Sequence, residues 1–347
     1  MDVTVRSFAK INLGLRIGAF RHDGFHELRT VYQTIALHDI IRVQVGRGSG
    51  IEIRCEDPRV PKDDSNTCYR IVDRAMLALQ ARGRVVIEIE KRLAVQGGLG
   101  GASGNAVATL LALERALKRK LPSPERLEIA ADVGSDLPLF LVGGTILGVG
   151  HGEEVYPLQD LPSIPCVIAT PEIGVSTPKA FADWDALIGR DLVVPTGGAV
   201  GTKLTLLPAS DRISEFGRVL SAWLGGLSQS KNKQDKLKSG RALSGVPVSK
   251  GRGRAETLLL DLVRTGIEND FERVVFPKYP ELREVKGVLE RAGAVYASLS
   301  GSGSTIYGLF ASREAAVKAA ARLREDGTPA VATITLTRQQ YWNKIFD

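Results

Sequence analysis

The sequence predicts an α+β protein of two domains. Segments with the two-residue period of half-buried strands lie in both halves of the chain, and stretches with helical spacing are interleaved with them. At 347 residues, 44% hydrophobic and 24% charged, the chain is long enough for two cores of ordinary composition. A boundary is expected near residues 160–165, where two prolines interrupt a shift in composition. The expected domains are 1–160 and 161–347.

In chain order, residues 3–17 and 31–54 read as strands joined by the turn-rich Arg21-His22-Asp23-Gly24, and residues 66–81 as a helix. Residues 85–91 alternate Val85, Ile87 and Ile89 with Val86, Glu88 and Glu90, the pattern of a strand with one face buried. Val107, Leu110, Leu111, Leu113 and Leu117 recur at helical spacing over about 105–118. Ser123-Pro124 makes an N-cap and first turn for a helix ending near Gly134, and a short strand then leads to the turn Gly150-His151-Gly152. Past the boundary, 164–170 reads as a strand, and 178–188, 256–266 and 282–291 as helices. The chain closes with a strand (294–299), a Ser/Gly turn, a strand (305–310), a helix (312–325) and a strand (330–335). That closing order fits a split β-α-β arrangement, and no internal repeat is visible.

Composition excludes several classes. The three cysteines, Cys55, Cys68 and Cys166, are odd in number and lack C-x-x-C spacing, which points to thiols in a reducing compartment rather than disulfides or a zinc site. The N-terminal sequence lacks the apolar stretch of a signal peptide and no apolar run reaches membrane-spanning length, so a cytoplasmic protein without a membrane partner is expected. The net charge of +7 is concentrated in residues 225–254, which hold eight Lys or Arg against Asp235 alone. That segment has no aromatic residue to stack on a base, so it reads as part of a solvated insertion at about 190–255 rather than a nucleic-acid-binding arm.

The clearest chemical signal is the run Gly97-Gly98-Leu99-Gly100-Gly101-Ala102-Ser103-Gly104 between the strand at 85–91 and the following helix. Its five glycines are expected to take positive φ and turn backbone N–H groups into one concavity, while the helix start adds unpaired N–H groups and a positive dipole end. By itself such a run is equally a surface loop; the flanking strand and helix favour a phosphate site. A Walker A loop is excluded because the chain has no Gly-Lys pair, a dinucleotide site because G-x-G-x-x-G is absent, and a protein kinase because H-R-D and D-F-G are absent.

Phosphoryl transfer also needs a group to take the acceptor's proton and a fixed cation to stabilise the spreading charge. Asp136, just before Leu137-Pro138-Leu139-Phe140, and Lys10, between Ala9 and Ile11, sit in apolar sequence where unpaired burial would be costly. Residue type alone leaves open that Asp136 is a helix N-cap and Lys10 a solvated strand residue.

Seven segments decide between these readings: FAKINLGLRI (8–17), RHDGFHELRT (21–30), KRLAVQGGLGGASGNA (91–106), GSDLPLF (134–140), STPKAF (176–181), IENDFE (267–272) and SGSGS (300–304). In this order the chain resembles the GHMP family of small-molecule kinases. The resemblance implies a two-domain GHMP kinase fold, with an N-terminal ribosomal-S5-like α/β domain and a C-terminal ferredoxin-like domain around a cleft. It also implies ATP-dependent phosphorylation of the 2-hydroxyl of 4-diphosphocytidyl-2-C-methyl-D-erythritol, a cytidyl diphosphate sugar alcohol, in isoprenoid precursor synthesis. The alternatives are a family member acting on a homoserine- or mevalonate-type alcohol or, from another class, a basic nucleic-acid-binding module.

Carried over residue by residue, the family's catalytic pair falls on Lys10 and Asp136. Its nucleotide contacts fall on Asn66 and Lys91, on the loop Ala94, Val95, Gln96, Gly97, Gly98, Leu99, Gly100, Gly101, Ala102, Ser103 and Gly104, and on Gly301, Ser302 and Gly303. Its cytidine contacts fall on Asn12, Phe25, His26, Thr177 and Phe181. Four positions depart from the family's pattern: Phe25 replaces tyrosine, Ala94 proline, Gln96 glycine and Gly104 a serine. Magnesium is expected as the ATP complex, with no protein ligand named by the sequence.

Overall fold

The computed structural model describes residues 2–192 and 267–346. The basic run at 225–254 and the helix read at 256–266 lie outside the described residues, as does the expected insertion from residue 193 onward.

Two long antiparallel strands organise the chain: β1 (Asp2–Phe20) and β2 (His26–Gly46). Their turn is closed by Asp23, whose carboxylate accepts from the Arg21 guanidinium and from the Phe25 backbone N–H. Register shifts interrupt the pair between Phe8 and Ala9 and between Asn12 and Gly14. Bulges of this kind re-aim side chains, and Lys10 and Asn12 lie between the two. β2 continues into a six-stranded sheet in the order β3 (Ile51–Cys55), β4 (Arg84–Glu90), β2, β5 (Thr145–Val149), β6 (Glu154–Pro157), with β1 joined to β2. The single strand expected over 31–54 is therefore two strands. The chain breaks after Gly46, where Gly48 and Gly50 take positive φ and start a new direction.

Helices α1 (Thr67–Ala78), α2 (Gly101–Leu117), α3 (Ser123–Val133) and α4 (Leu137–Phe140) close one core over this sheet, with Val43, Ile87, Ile71, Val107 and Leu110 at its centre. The second sheet is four-stranded and antiparallel, in the order β10 (Ala330–Ile334), β7 (Pro165–Ala169), β9 (Ile306–Leu309), β8 (Tyr296–Leu299). It carries α5 (Thr177–Leu192), α6 (Glu272–Val275), α7 (Pro280–Arg291) and α8 (Arg313–Glu325), the split β-α-β order expected from the closing segments.

A third core fuses the two layers. Ile11, Leu13 and Ile35 of the long hairpin pack with Leu161, Ile164, Tyr307 and Leu309. The chain end also departs from the expected division at 161–347. Helix α9 (Arg338–Lys344) returns to the first core, where the buried Tyr341 donates to Phe140 O at 2.7 Å and Trp342 Nε1 donates to Val142 O at 3.0 Å. α4, which begins directly after Asp136, is pinned by these bonds. No helix among the described residues is long and apolar enough to cross a membrane.

Candidate active site

Helix α2 starts at Gly101, four residues before the expected onset, because the second half of the glycine run is already helical. Gly100 occupies the N-cap with φ 69° and no side-chain cap, and the Gly104 N–H makes the helix's first bond, to Gly100 O at 2.8 Å. The N–H groups of Gly101, Ala102 and Ser103 therefore have no intrahelical acceptor and form an anion site at the positive end of a 17-residue helix. Positive φ is confined to Gln96, Gly98 and Gly100 rather than shared by all five glycines. A Cβ on Gly98 would lie 2.2 Å from Ser300 O, so the loop is pressed against the Ser/Gly turn at 300–304. Ser300 Oγ donates to Gly98 O at 2.9 Å, Thr305 N–H to Gly97 O at 3.2 Å, and Lys10 N–H to Leu99 O at 3.0 Å.

Two cavities lie on either side of this loop. One, of about 370 Å³, is lined by Asn66, Lys91, residues 94–103 and Asn105. The other, of about 690 Å³, is lined by Lys10, Asn12, Phe25, His26, Tyr32, Asp136, His151, Thr177, Phe181, Gly301 and Ser302. They share Gly98 and Ser103. Gly104 and Gly303 line neither. Gly104 faces β1, where a Cβ would sit 2.9 Å from Ser7 Oγ and 3.0 Å from Phe8 O, so the hydroxyl absent at this position is not one that would face the loop.

On the larger cavity's wall, the buried Lys10 ammonium donates to Asn12 Oδ1 at 2.8 Å and lies 3.5 Å from Asp136 Oδ2. Asp136 stands at the N-cap position of α4, yet its side chain makes no cap bond. Instead it pairs with Lys10 and accepts from the Tyr32 hydroxyl at 3.0 Å. Burial, with the Asp136 charge beside it, holds the Tyr32 phenol far above its usual range, so it remains a donor. Asn12 Nδ2 donates to Thr30 Oγ1, so its amide bridges Lys10 and Thr30 on the wall of the cavity that the aromatic residues also line.

The expected aromatic residues form two stacks. His26 lies on Phe181 (centroids 5.1 Å apart, 11° between planes), and its Nε2 is 2.7 Å from Asp185 Oδ1. The half-exposed Phe25 stacks instead on His151, 4.8 Å away. Thr177 Oγ1 and Ser302 Oγ are 2.7 Å apart and tie the start of α5 to the Ser/Gly turn. In the smaller cavity Asn66 caps α1 through Cys68 N–H and donates to Pro61 O, so its amide holds the wall in place.

Residues 66–144 match the GHMP kinases N terminal domain, and residues 254–328 match GHMP kinases C terminal. The 4-diphosphocytidyl-2-C-methyl-D-erythritol kinase of Solibacter usitatus is 35% identical over 96% of this chain and 89% of its own length. The chain belongs to the GHMP kinase family. The enzyme of the same name from Acaryochloris marina is 31% identical over 92% of this chain and 91% of its own. A crystal structure of 4-(cytidine 5'-diphospho)-2C-methyl-D-erythritol kinase aligns with a TM-score of 0.66 at 27% identity, covering 96% of this chain and 98% of that one. Homoserine kinase from Cytophaga hutchinsonii has the same TM-score at 20% identity (98% and 96% covered), a likeness of fold.

Sequence reasoning missed two groups that this GHMP kinase brings to the larger cavity and one buried behind the smaller cavity's wall. Tyr32 is one and His151 another; each reads as an ordinary strand or turn residue in one dimension. The third is Asp39, fully buried, whose carboxylate accepts from Lys91 Nζ (2.5 Å), Arg92 N–H (2.7 Å), Leu93 N–H (2.8 Å) and Asn105 Nδ2 (3.0 Å). It thereby joins β2, the strap after β4 and helix α2, and it fixes the Lys91 ammonium beside Gly101. A lone acidic residue inside an apolar strand, between Leu37 and Ile40-Ile41, is the signal that could have found it.

Proposed function

We propose that this kinase transfers the γ-phosphoryl group of ATP to the 2-hydroxyl of 4-diphosphocytidyl-2-C-methyl-D-erythritol. The observation that carries the reading is the meeting of two cavities at Gly98 and Ser103, with Lys10 and Asp136 on the larger one. Nucleotide in the smaller cavity would lay its phosphates along the α2 N-terminus, and an alcohol in the larger one would face them across the loop. Asp136 takes the hydroxyl proton as the acceptor oxygen bonds to the γ-phosphorus and the bond to the ADP oxygen breaks. Lys10, already desolvated, stabilises the charge on the transferring group without reorganisation. The rings of Phe25, His26 and Phe181 give the larger cavity faces for a base.

Magnesium would enter as the ATP complex, and Ser103, on the lining of both cavities at the phosphate loop, would stand beside the phosphates that carry it. Magnesium supplies charge neutralisation of those phosphates when bound.

The test is phosphotransfer by the purified protein with ATP and a panel of alcohols: the cytidyl substrate, homoserine and mevalonate. Turnover confined to the cytidyl alcohol, with phosphorus NMR locating the new ester at the 2-hydroxyl, is expected. Faster turnover of homoserine or mevalonate would overturn the substrate assignment and leave the kinase chemistry standing.

A further inference from the structure

We propose that His151 is a substrate-binding residue whose Nε2 donates to the diphosphate joining the two halves of the cytidyl substrate; this rests on the function proposed above. The argument begins with charge. The lining of the larger cavity contains no arginine, one lysine and two histidines, against Asp136 and Asp185. Lys10 is committed to Asn12 and Asp136 at the reacting end. His26 is committed to Asp185, with one ring face covered by Phe181. His151 is the remaining cationisable group on this lining, and a diphosphate entering the cleft needs one.

Position points the same way. Nδ1 of His151 lies 2.7 Å from Ser135 Oγ, the neighbour of Asp136, while its ring is stacked on Phe25. The imidazole thus bridges the reacting end and an aromatic face, the span that a diphosphate between a sugar alcohol and a cytidine must cross. Nδ1 is further anchored by Glu153, with Oε2 3.3 Å away and also accepting the His151 backbone N–H at 2.7 Å. No described residue bonds Nε2. When Nδ1 accepts from the Ser135 hydroxyl, the neutral ring carries its proton on Nε2; when the ring is protonated, Nδ1 donates to Ser135 or Glu153 and Nε2 still carries a proton. Nε2 is therefore a donor in the imidazolium and in the Nε2–H neutral tautomer, and the doubly protonated ring, which donates from Nδ1 to Ser135 or Glu153 and from Nε2 to the diphosphate, is the form that an anion selects.

The experiment is calorimetric titration of cytidine and of CDP into the enzyme saturated with a non-hydrolysable ATP analogue, so that neither enters the nucleotide cavity. Wild type should bind CDP about tenfold more tightly than cytidine. His151→Ala should reduce that ratio to about twofold or less, and His151→Arg, which supplies a fixed cation, should keep it near wild type. Unfolding midpoints check that both variants are folded. An unchanged CDP-to-cytidine ratio in folded His151→Ala would overturn the assignment, as would a ratio lost equally in the Arg variant. Wild type that bound cytidine and CDP equally would overturn it while leaving the cytidine pocket standing. Failure of wild type to bind either would overturn the functional reading itself.

Discussion

Lys10 and Asp136 illustrate what a sequence can and cannot state about a site. Flanking apolar residues predict desolvation and hence a partner, and the two side chains lie 3.5 Å apart. Asp136→Asn should lower kcat at least ~100-fold, since positioned acid–base groups contribute about 10² to 10⁴; steady-state rates at saturating substrates check this. Tyr32→Phe removes one hydrogen bond to a charged acceptor and should lower kcat about tenfold in a folded protein. A larger loss for Tyr32→Phe than for Asp136→Asn would reverse the assigned roles. Tyr32 and Asp39 were not legible because their partners are distant in sequence: Tyr32 meets Asp136, and Asp39 meets Lys91 and Asn105. Asp39→Asn removes the buried charge partner of the part-buried Lys91 ammonium and should cost about 3 kcal/mol of stability, the low end for a buried pair, because Lys91 keeps access to the cavity. Denaturant unfolding of the variant measures it, and a loss below 1 kcal/mol would mean that the pair is not desolvated.

At the scale of elements, strand and helix periodicity located most of the fold, and glycine-rich joints were the weak points. A glycine run carries no side-chain period, so the first turn of α2 looked like loop; the break after Gly46 was legible in the turn signal Gly46-Arg47-Gly48-Ser49-Gly50, which the reading of 31–54 as one strand passed over. The loop itself stores one measurable strain. Gln96 has φ 59°, a left-handed conformation that costs a residue with a Cβ roughly 1–2 kcal/mol. Glycine relieves that cost but gains entropy in the unfolded chain, about 0.5–1 kcal/mol. Gln96→Gly is therefore expected to raise stability by up to ~1 kcal/mol with the KM for ATP within twofold. A destabilisation would show that the Gln96 side chain is bound rather than strained.

Across the whole molecule, motif order was legible but core membership was not. The long hairpin shared by three cores and the return of α9 to Phe140 are packing outcomes, and a seven-residue helix advertises no destination. Burial of acidic side chains across these cores sets the alkaline limit of the fold. Burial pushes the Cys68 thiol up to about 12 and raises Cys166, Tyr32, Tyr296, Tyr307 and Tyr341 as well. The folded state therefore holds these protons more tightly than the unfolded chain. Their contribution is complete below about pH 8.5, begins to be lost above the unfolded-chain values of cysteine, about 8.5, and tyrosine, about 10, and continues to fall as pH rises toward the raised folded-state values. Unfolding temperatures should fall between pH 8.5 and 10.5; a flat or rising profile would contradict this.

In the proposed function, nucleotide and acceptor occupy separate cavities on either side of one phosphate loop. Phe181 lines the acceptor cavity and does not line the nucleotide cavity. Because stacking is ground-state binding, worth ~1 to 3 kcal/mol per base, removing that ring should act on one substrate only. The decisive measurement is the pair of KM values in Phe181→Ala. A rise of at least about tenfold for the cytidyl substrate, with the KM for ATP within twofold, is the predicted result. Equal losses for the two substrates would contradict it.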